Sequence, residues 1–157
     1  LGGALAGAAA AVTAPIVRVA TVDDVGVILG FIRALAAYER LADAVIADEA
    51  ALAATLFGPR PAAEVLIVEA DGRPRGFALF FTSYSTFLAK PGLYLEDLFV
   101  EPDARGRGLG LALMATLAQV CVARGYGRFE WSVLDWNQPA LDFYRALGAG
   151  DTSSVFA

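Results

Sequence analysis

The stretch Tyr94-Leu-Glu-Asp-Leu-Phe-Val-Glu-Pro-Asp-Ala-Arg-Gly-Arg-Gly-Leu-Gly110 decides how this chain folds. Leu93 to Val100 is apolar except for Glu96 and Asp97, so it reads as a buried strand. Pro102 and Asp103 end that strand. Gly106, Gly108 and Gly110 remove Cβ atoms from the following loop, so the backbone can turn tightly there. From Leu109 to Ala123 the chain is apolar again, at helical length. A helix opening on such a loop presents unpaired N–H groups and a partial positive charge, a setting that suits phosphate. Arg105 and Arg107 add cationic donors beside it.

Working outward, Ile16 to Ala20 alternates and reads as the first strand. Thr21 and Asp24 have the spacing of a capping box. Val25, Ile28, Leu29, Ile32, Leu35 and Ala36 then form an apolar stripe at helical period, ending near Tyr38–Leu41. Asp48 caps a second helix that Gly58-Pro59 stops. Glu64 to Ala70 and Arg75 to Ser83 read as strands two and three, joined by an Asp71-Gly72 turn. Tyr84 to Gly92 reads as a loop before strand four. The helix after the glycine loop is apolar almost all round, which predicts a mostly buried helix ending at Gly125. Arg128 to Leu134 is strand five. Asn137 caps a fourth helix with Pro139 in its first turn, and Gly148 closes it. Residues 149–157 have room for a sixth strand. Residues 1–14, rich in Ala and Gly, read as a flexible leader, and 15–157 as a single domain. The order of elements is mixed α/β, with a crossover at the glycine loop.

Composition narrows the chemistry. The chain has 157 residues, 57% hydrophobic and 18% charged, with a net charge of −5, no His and one Cys. That length fits one domain with a sizeable core. The acidic balance argues against a nucleic-acid surface. No stretch reads as a membrane span, because Leu1 to Val17 is mostly Ala and Gly and contains Pro15. Without His, a Ser-His-Asp triad, a Cys-His pair and a His-rich zinc site are excluded, and no metal is expected. Acid–base work falls to carboxylates, Tyr, Lys, water or the substrate. Cys121 alone cannot form an internal disulfide, which is compatible with a reducing cytoplasm.

The glycine loop is neither of two familiar phosphate loops. A dinucleotide fingerprint would need glycine at Leu111, and a P-loop would need Gly-Lys-Ser/Thr. The pattern Arg105-x-x-Gly108-x-Gly110, after a strand ending in Val-x-Pro, resembles the acetyl-CoA loop of the GNAT superfamily of N-acetyltransferases. The resemblance covers about residues 16–150. Tyr94 to Val100, Arg105 to Gly110, Asp135-Trp-Asn-Gln-Pro-Ala140 and Asp142-Phe-Tyr-Arg-Ala-Leu-Gly148 look like the spermidine/spermine branch, whose members acetylate small amines such as polyamines or thialysine. It implies a central mixed, mostly antiparallel sheet of about six to seven strands, flanked by four helices and splayed between strands four and five. It also implies a cytoplasmic homodimer with active sites near the subunit interface.

Roles follow from the resemblance residue by residue. The backbone from Arg105 through Gly106, Arg107, Gly108 and Leu109 to Gly110 would hold the pyrophosphate of acetyl-CoA. Leu98, Phe99 and Val100 would pair with the pantetheine arm, with Asn137 and Phe143 beside it. Asn137 is equally explained as a plain helix cap. Carboxylates within an apolar strand are costly unless satisfied. Neighbouring strand residues face opposite sides, so only one of Glu96 and Asp97 reaches the substrate unless a bulge rotates the other. The resemblance favours Glu96 for binding or deprotonating the amine and leaves Asp97 a structural role. Tyr144 matches the position of the acid that protonates the departing thiolate. Trp136, Tyr84, Phe87 and Tyr38 are candidate walls of a slot for a primary amine, and Glu39 would lend it negative charge. Arg40 dilutes the charge after Tyr38-Glu39, which speaks against a long polycation. Acetylation of a protein amine, and a non-catalytic acyl-CoA-binding module, stay open as alternatives.

Overall fold

Two apolar runs, Val65 to Val68 and Phe77 to Phe80, pair as antiparallel neighbours and bury both faces of the sheet between them. The computed structural model describes residues 14–150. The expected leader lies outside the described residues except for Ala14, and so does most of the segment expected to hold a sixth strand. Among the described residues the sheet has five strands rather than six or seven. They are β1 (Ile16–Val19), β2 (Glu64–Ala70), β3 (Arg73–Ser85), β4 (Lys90–Val100) and β5 (Phe129–Trp131), in the order β1-β2-β3-β4-β5. The first three pairings are antiparallel, and β4 with β5 is parallel.

Helices cover both faces. A 3₁₀ turn over Val22–Asp24 leads into α1 (Val25–Tyr38), and the Thr21 N–H donates to Asp24 Oδ2 at 2.7 Å, one arm of the expected capping box. In α2 (Glu49–Phe57) Asp48 accepts from the Ala51 N–H, as its spacing predicts. These two helices bury Ile28, Leu29, Phe31, Leu52 and Leu56 against Ile67, Phe77 and Phe99. The opposite face carries α3 (Leu109–Arg124), whose Leu109, Leu113, Met114 and Leu117 pack on Leu66, Val68, Phe80, Leu93 and Leu95. Phe143 and Tyr144 of α4 (Gln138–Ala146) pack at the margin of that core. None of these helices is long and apolar enough to cross a membrane.

Two local expectations are corrected. Tyr84 to Gly92 is not a loop. β3 and β4 continue as a hairpin to Ser85 opposite Lys90, with a turn between them. Pro91 fits because it sits at the strand's start, where a missing N–H costs little. Nor is α3 mostly buried: Leu111 and Val122 are exposed, because the sheet covers only one side of the helix. β5 is also shorter than the expected Arg128 to Leu134.

Candidate active site

The parallel pairing of β4 with β5 runs only from Leu93–Phe129 to Leu95–Trp131. Beyond it, β4 continues to Val100 while the segment after β5, Ser132 to Leu134, leaves the ladder. The strands therefore splay, and among the described residues β4 has no strand partner on that side from Glu96 onward. A cavity of about 560 Å³ opens in the gap. Its walls are Leu95 to Val100, Trp131 to Leu134, the glycine loop, the C-terminal turn of α1 and the start of α4.

At one end lies the glycine loop. Gly106 and Gly108 have φ of +74° and +81°, conformations that strain any side-chain-bearing residue. Gly108 is the N-cap of α3 and, among the described residues, no side chain bonds the helix start, so the first N–H groups keep their capacity for an anion. Gly110 lies against Phe143; a Cβ there would sit 3.4 Å from the ring. Arg105, Gly106, Gly108, Leu109 and Gly110 line the cavity, as do Leu98, Phe99, Val100, Asn137 and Phe143. Arg105 Nε donates to the Val100 carbonyl at 2.9 Å, and its guanidinium lies over the rings of Tyr38 and Phe99. Arg107 does not join them. Asp71, in the β2–β3 turn, holds its two guanidinium nitrogens at 2.7 and 2.8 Å. A bidentate carboxylate a few ångströms away outcompetes a more distant anion, so Arg107 tethers the loop instead of facing the cavity.

The carboxylates come next. The β3–β4 ladder slips by one residue: Leu79 opposes Asp97 and Phe80 opposes Leu95, leaving Glu96 as a bulge. That bulge breaks the strict alternation of the strand, and Glu96 and Asp97 both line the cavity. Glu39, at the end of α1, lines it too. Burial pushes the Asp97 carboxyl up to about 6, helped by the negative charges of Glu96 and Glu39. Burial also raises Glu39 above its ordinary value. The three acids form no ion pair among the described residues. The resemblance favoured Glu96 over Asp97, and a bulge was the one way for both to reach the cavity; no residue in the sequence announces it.

Opposite stands Tyr144. It packs on Trp131, with ring centroids 4.9 Å apart, and on Phe143. Its hydroxyl makes no hydrogen bond among the described residues, and burial pushes the phenol up to about 12. Asn137 caps α4 as predicted and also lines the cavity: its Oδ1 accepts from the Ala140 N–H at 3.3 Å and from the Tyr38 hydroxyl at 3.2 Å. Asn137 is buried, and it caps the helix while lining the cavity.

The remaining candidates divide. Tyr38 lines the cavity. Trp136 does not, but it flanks the rim, 6.2 Å from the Tyr38 ring. Tyr84 pairs with Pro91 on the outer hairpin, 61% exposed, and Phe87 is fully exposed at its tip. Neither reaches the cavity, because the hairpin extends where a loop was expected to fold back.

Residues 34–149 match the Acetyltransferase (GNAT) family. The chain is 41% identical to a thialysine N-epsilon-acetyltransferase of Bos taurus over 147 residues, covering 88% of this chain and 86% of that one. It is 33% identical to the L-ornithine N5-acetyltransferase NATA1 of Arabidopsis thaliana, over 85% of this chain and 78% of the relative. Among solved structures, an integron cassette protein from the mobile metagenome of V. cholerae superposes with a TM-score of 0.72 at 26% identity, covering 90% of this chain and 88% of that one. The chain belongs to the GNAT acetyltransferase family, and it is accordingly an acetyl-transferring enzyme.

Proposed function

We propose that this enzyme moves an acetyl group from acetyl-CoA to the primary amine of a small molecule of the diamine, polyamine or lysine-analogue type. The observation that carries the reading is one cavity, opened by the splay of β4 and β5, whose lining brings carboxylates and the half-buried Tyr144 phenol together. The glycine loop fits the co-substrate's pyrophosphate: left-handed glycines admit a close approach, and the N-terminus of α3 has no side-chain cap among the described residues. The free side of β4 offers main-chain groups to an extended amide arm. Acetyl-CoA supplies the activated acetyl thioester; the chain's own residues position it and move protons.

Glu39, Glu96 and Asp97 draw an ammonium into the cavity. Asp97 is the proton acceptor. A carboxylate with a value near 6 is ionised at neutral pH yet binds a proton more firmly than an exposed one. Glu96 then holds the substrate nitrogen. Tyr144 stays protonated over the whole working range and gives its proton to the departing sulfur. The burial that weakens the phenol as an acid also strips water from a neighbouring thiolate, making it more basic. The names of the relatives, which act on thialysine and ornithine, favour a small acceptor.

The test mixes acetyl-CoA with diamines, lysine analogues and lysine-bearing peptides while free thiol is followed. Thiol release with small amines supports the reading. Release with peptides alone transfers it to a protein acceptor, and CoA binding without any release leaves only an acyl-CoA-binding module.

A further inference from the structure

The end of α1 has an unusual residue in its terminating turn. The Arg40 N–H bonds the Ala37 carbonyl at 3.1 Å and the Leu41 N–H bonds the Ala36 carbonyl at 2.7 Å. This is the Schellman closure, whose left-handed position is most often glycine. Here Arg40 occupies it, with φ of +62°. A side-chain-bearing residue is disfavoured in that conformation, and such outliers cluster where function holds them in place.

What the conformation achieves is a placement. The Arg40 guanidinium lies over the Trp136 ring, 5.0 Å from its centroid. Trp136 in turn packs on Tyr38, and Tyr38 and Glu39 line the cavity. Arg40 therefore stands just outside the lining residues, directly after an acid of the wall. Of the other arginines near the site, Arg107 is held by Asp71, and Arg105, part of the glycine loop, bonds the Val100 carbonyl through Nε. The Arg40 side chain makes no ion pair and no hydrogen bond among the described residues. Stacking on an indole holds a guanidinium by its face and leaves its N–H edges free. Those edges match a carboxylate in bidentate geometry.

The site thus has two zones of opposite sign: an acidic interior of Glu39, Glu96 and Asp97, and a cationic rim at Arg40. We propose that Arg40 is a specificity-determining residue that binds the carboxylate of a zwitterionic acceptor, an α-amino acid whose side-chain amine reaches the interior acids. The inference rests on the amine-acetylation reading and narrows it. A diamine or longer polyamine instead sets its second ammonium beside a fixed guanidinium, and like charges repel.

The experiment compares L-ornithine and L-lysine with their α-amides and with the diamines left by decarboxylation, using the wild-type chain, Arg40→Gln and Arg40→Lys. In the wild type the amino acids should have the highest kcat/KM. Arg40→Gln should lower kcat/KM for the free amino acids roughly tenfold to a hundredfold, the range of a charge-assisted contact. Its effect on the amides and diamines should be far smaller, and Arg40→Lys should restore part of the loss. An equal fall with all three acceptor types would assign Arg40 to holding Trp136 and overturn the proposal, as would no fall at all or a wild-type preference for diamines. If the wild type acetylates none of these compounds, the amine-acetylation reading fails with it.

Discussion

Two clusters of charge lie a few residues apart along β4, and they are built in opposite ways. Just past the strand's C-terminal end every carboxylate has an arginine. Arg75, only 5% exposed, lies 2.8 Å from Glu101, 2.6 Å from Asp103 and 3.1 Å from Asp71. Arg75 Nε and Glu101 Oε2 form an ion pair by distance, without the alignment of a good hydrogen bond. Arg73 adds a contact to Glu101, and Arg107 closes the network on Asp71. At the bulge, by contrast, Glu96 and Asp97 face Glu39 with no cation paired to any of them among the described residues. Matched charge fixes backbone: it ties the β2–β3 turn to the glycine loop. Unmatched charge stores a displaced proton affinity, which is what acid–base chemistry uses.

The comparison breaks or sharpens under substitution. The largest effect is expected from the unmatched side and the phenol opposite it. Tyr144→Phe should lower kcat about 10²–10⁴-fold, the usual range for a lost proton donor, with little change in CoA affinity. Because the hydroxyl makes no hydrogen bond among the described residues, melting temperature should barely move. An unchanged kcat would return Tyr144 to the core.

On the matched side, Arg75→Met should cost stability instead. Removing one member of a buried pair leaves acids uncompensated; with partly exposed partners, about 2–3 kcal/mol is expected. For a domain of this size that is a melting temperature roughly 5–10 °C lower. A variant as stable as the wild type would show the network to be ornamental.

Asp97→Asn should move the two readouts in opposite directions. Its folded value, near 6, stands above the ordinary aspartate value of about 3.9. Between those values the folded chain holds more protons than the unfolded one, so stability falls as pH rises from 4 to 6 and the cost persists above. Asparagine removes that cost. The variant should be more stable by on the order of 1–2 kcal/mol at pH 7.5 and no more stable at pH 4. It should also lose the rise of kcat/KM through pH 6. A melting-temperature difference that stays constant with pH would contradict this assignment.

The smallest effect belongs to the tether. Asp71→Asn frees Arg107, both exposed enough for solvent to screen the pair, so the KM for acetyl-CoA should rise only a few-fold while kcat holds.

Much of this was legible in the sequence where local chemistry governs. Glycines at 106, 108 and 125 mark left-handed backbone, and Asp48 and Asn137 cap the helices their spacing assigns. Tyr144, singled out by its place in a motif, lines the cavity. What stayed hidden depends on pairing across the sheet. The bulge at Glu96 exists only in register with β3, and the Asp71–Arg107 contact spans 36 positions. Asp71-Gly72 announced a turn but not its partner. The hairpin through Tyr84 and Pro91 was missed for the same reason, since strand pairing overrode residues that break isolated strands. Arg40 looked like diluted charge because nothing in its neighbours tells where a left-handed backbone would send it.

One oxygen atom links the two halves of the cavity. Asn137 Oδ1 accepts from the phenol at the end of α1 and from the first turn of α4 together. The acceptor's side of the chamber and the helix bearing Tyr144 are thereby hinged on a shared pin. On the proposed chemistry, a guest that wedges Tyr38 outward would loosen the helix bearing Tyr144 as well, and an oversized amine would be rejected by stalled turnover rather than by refused admission.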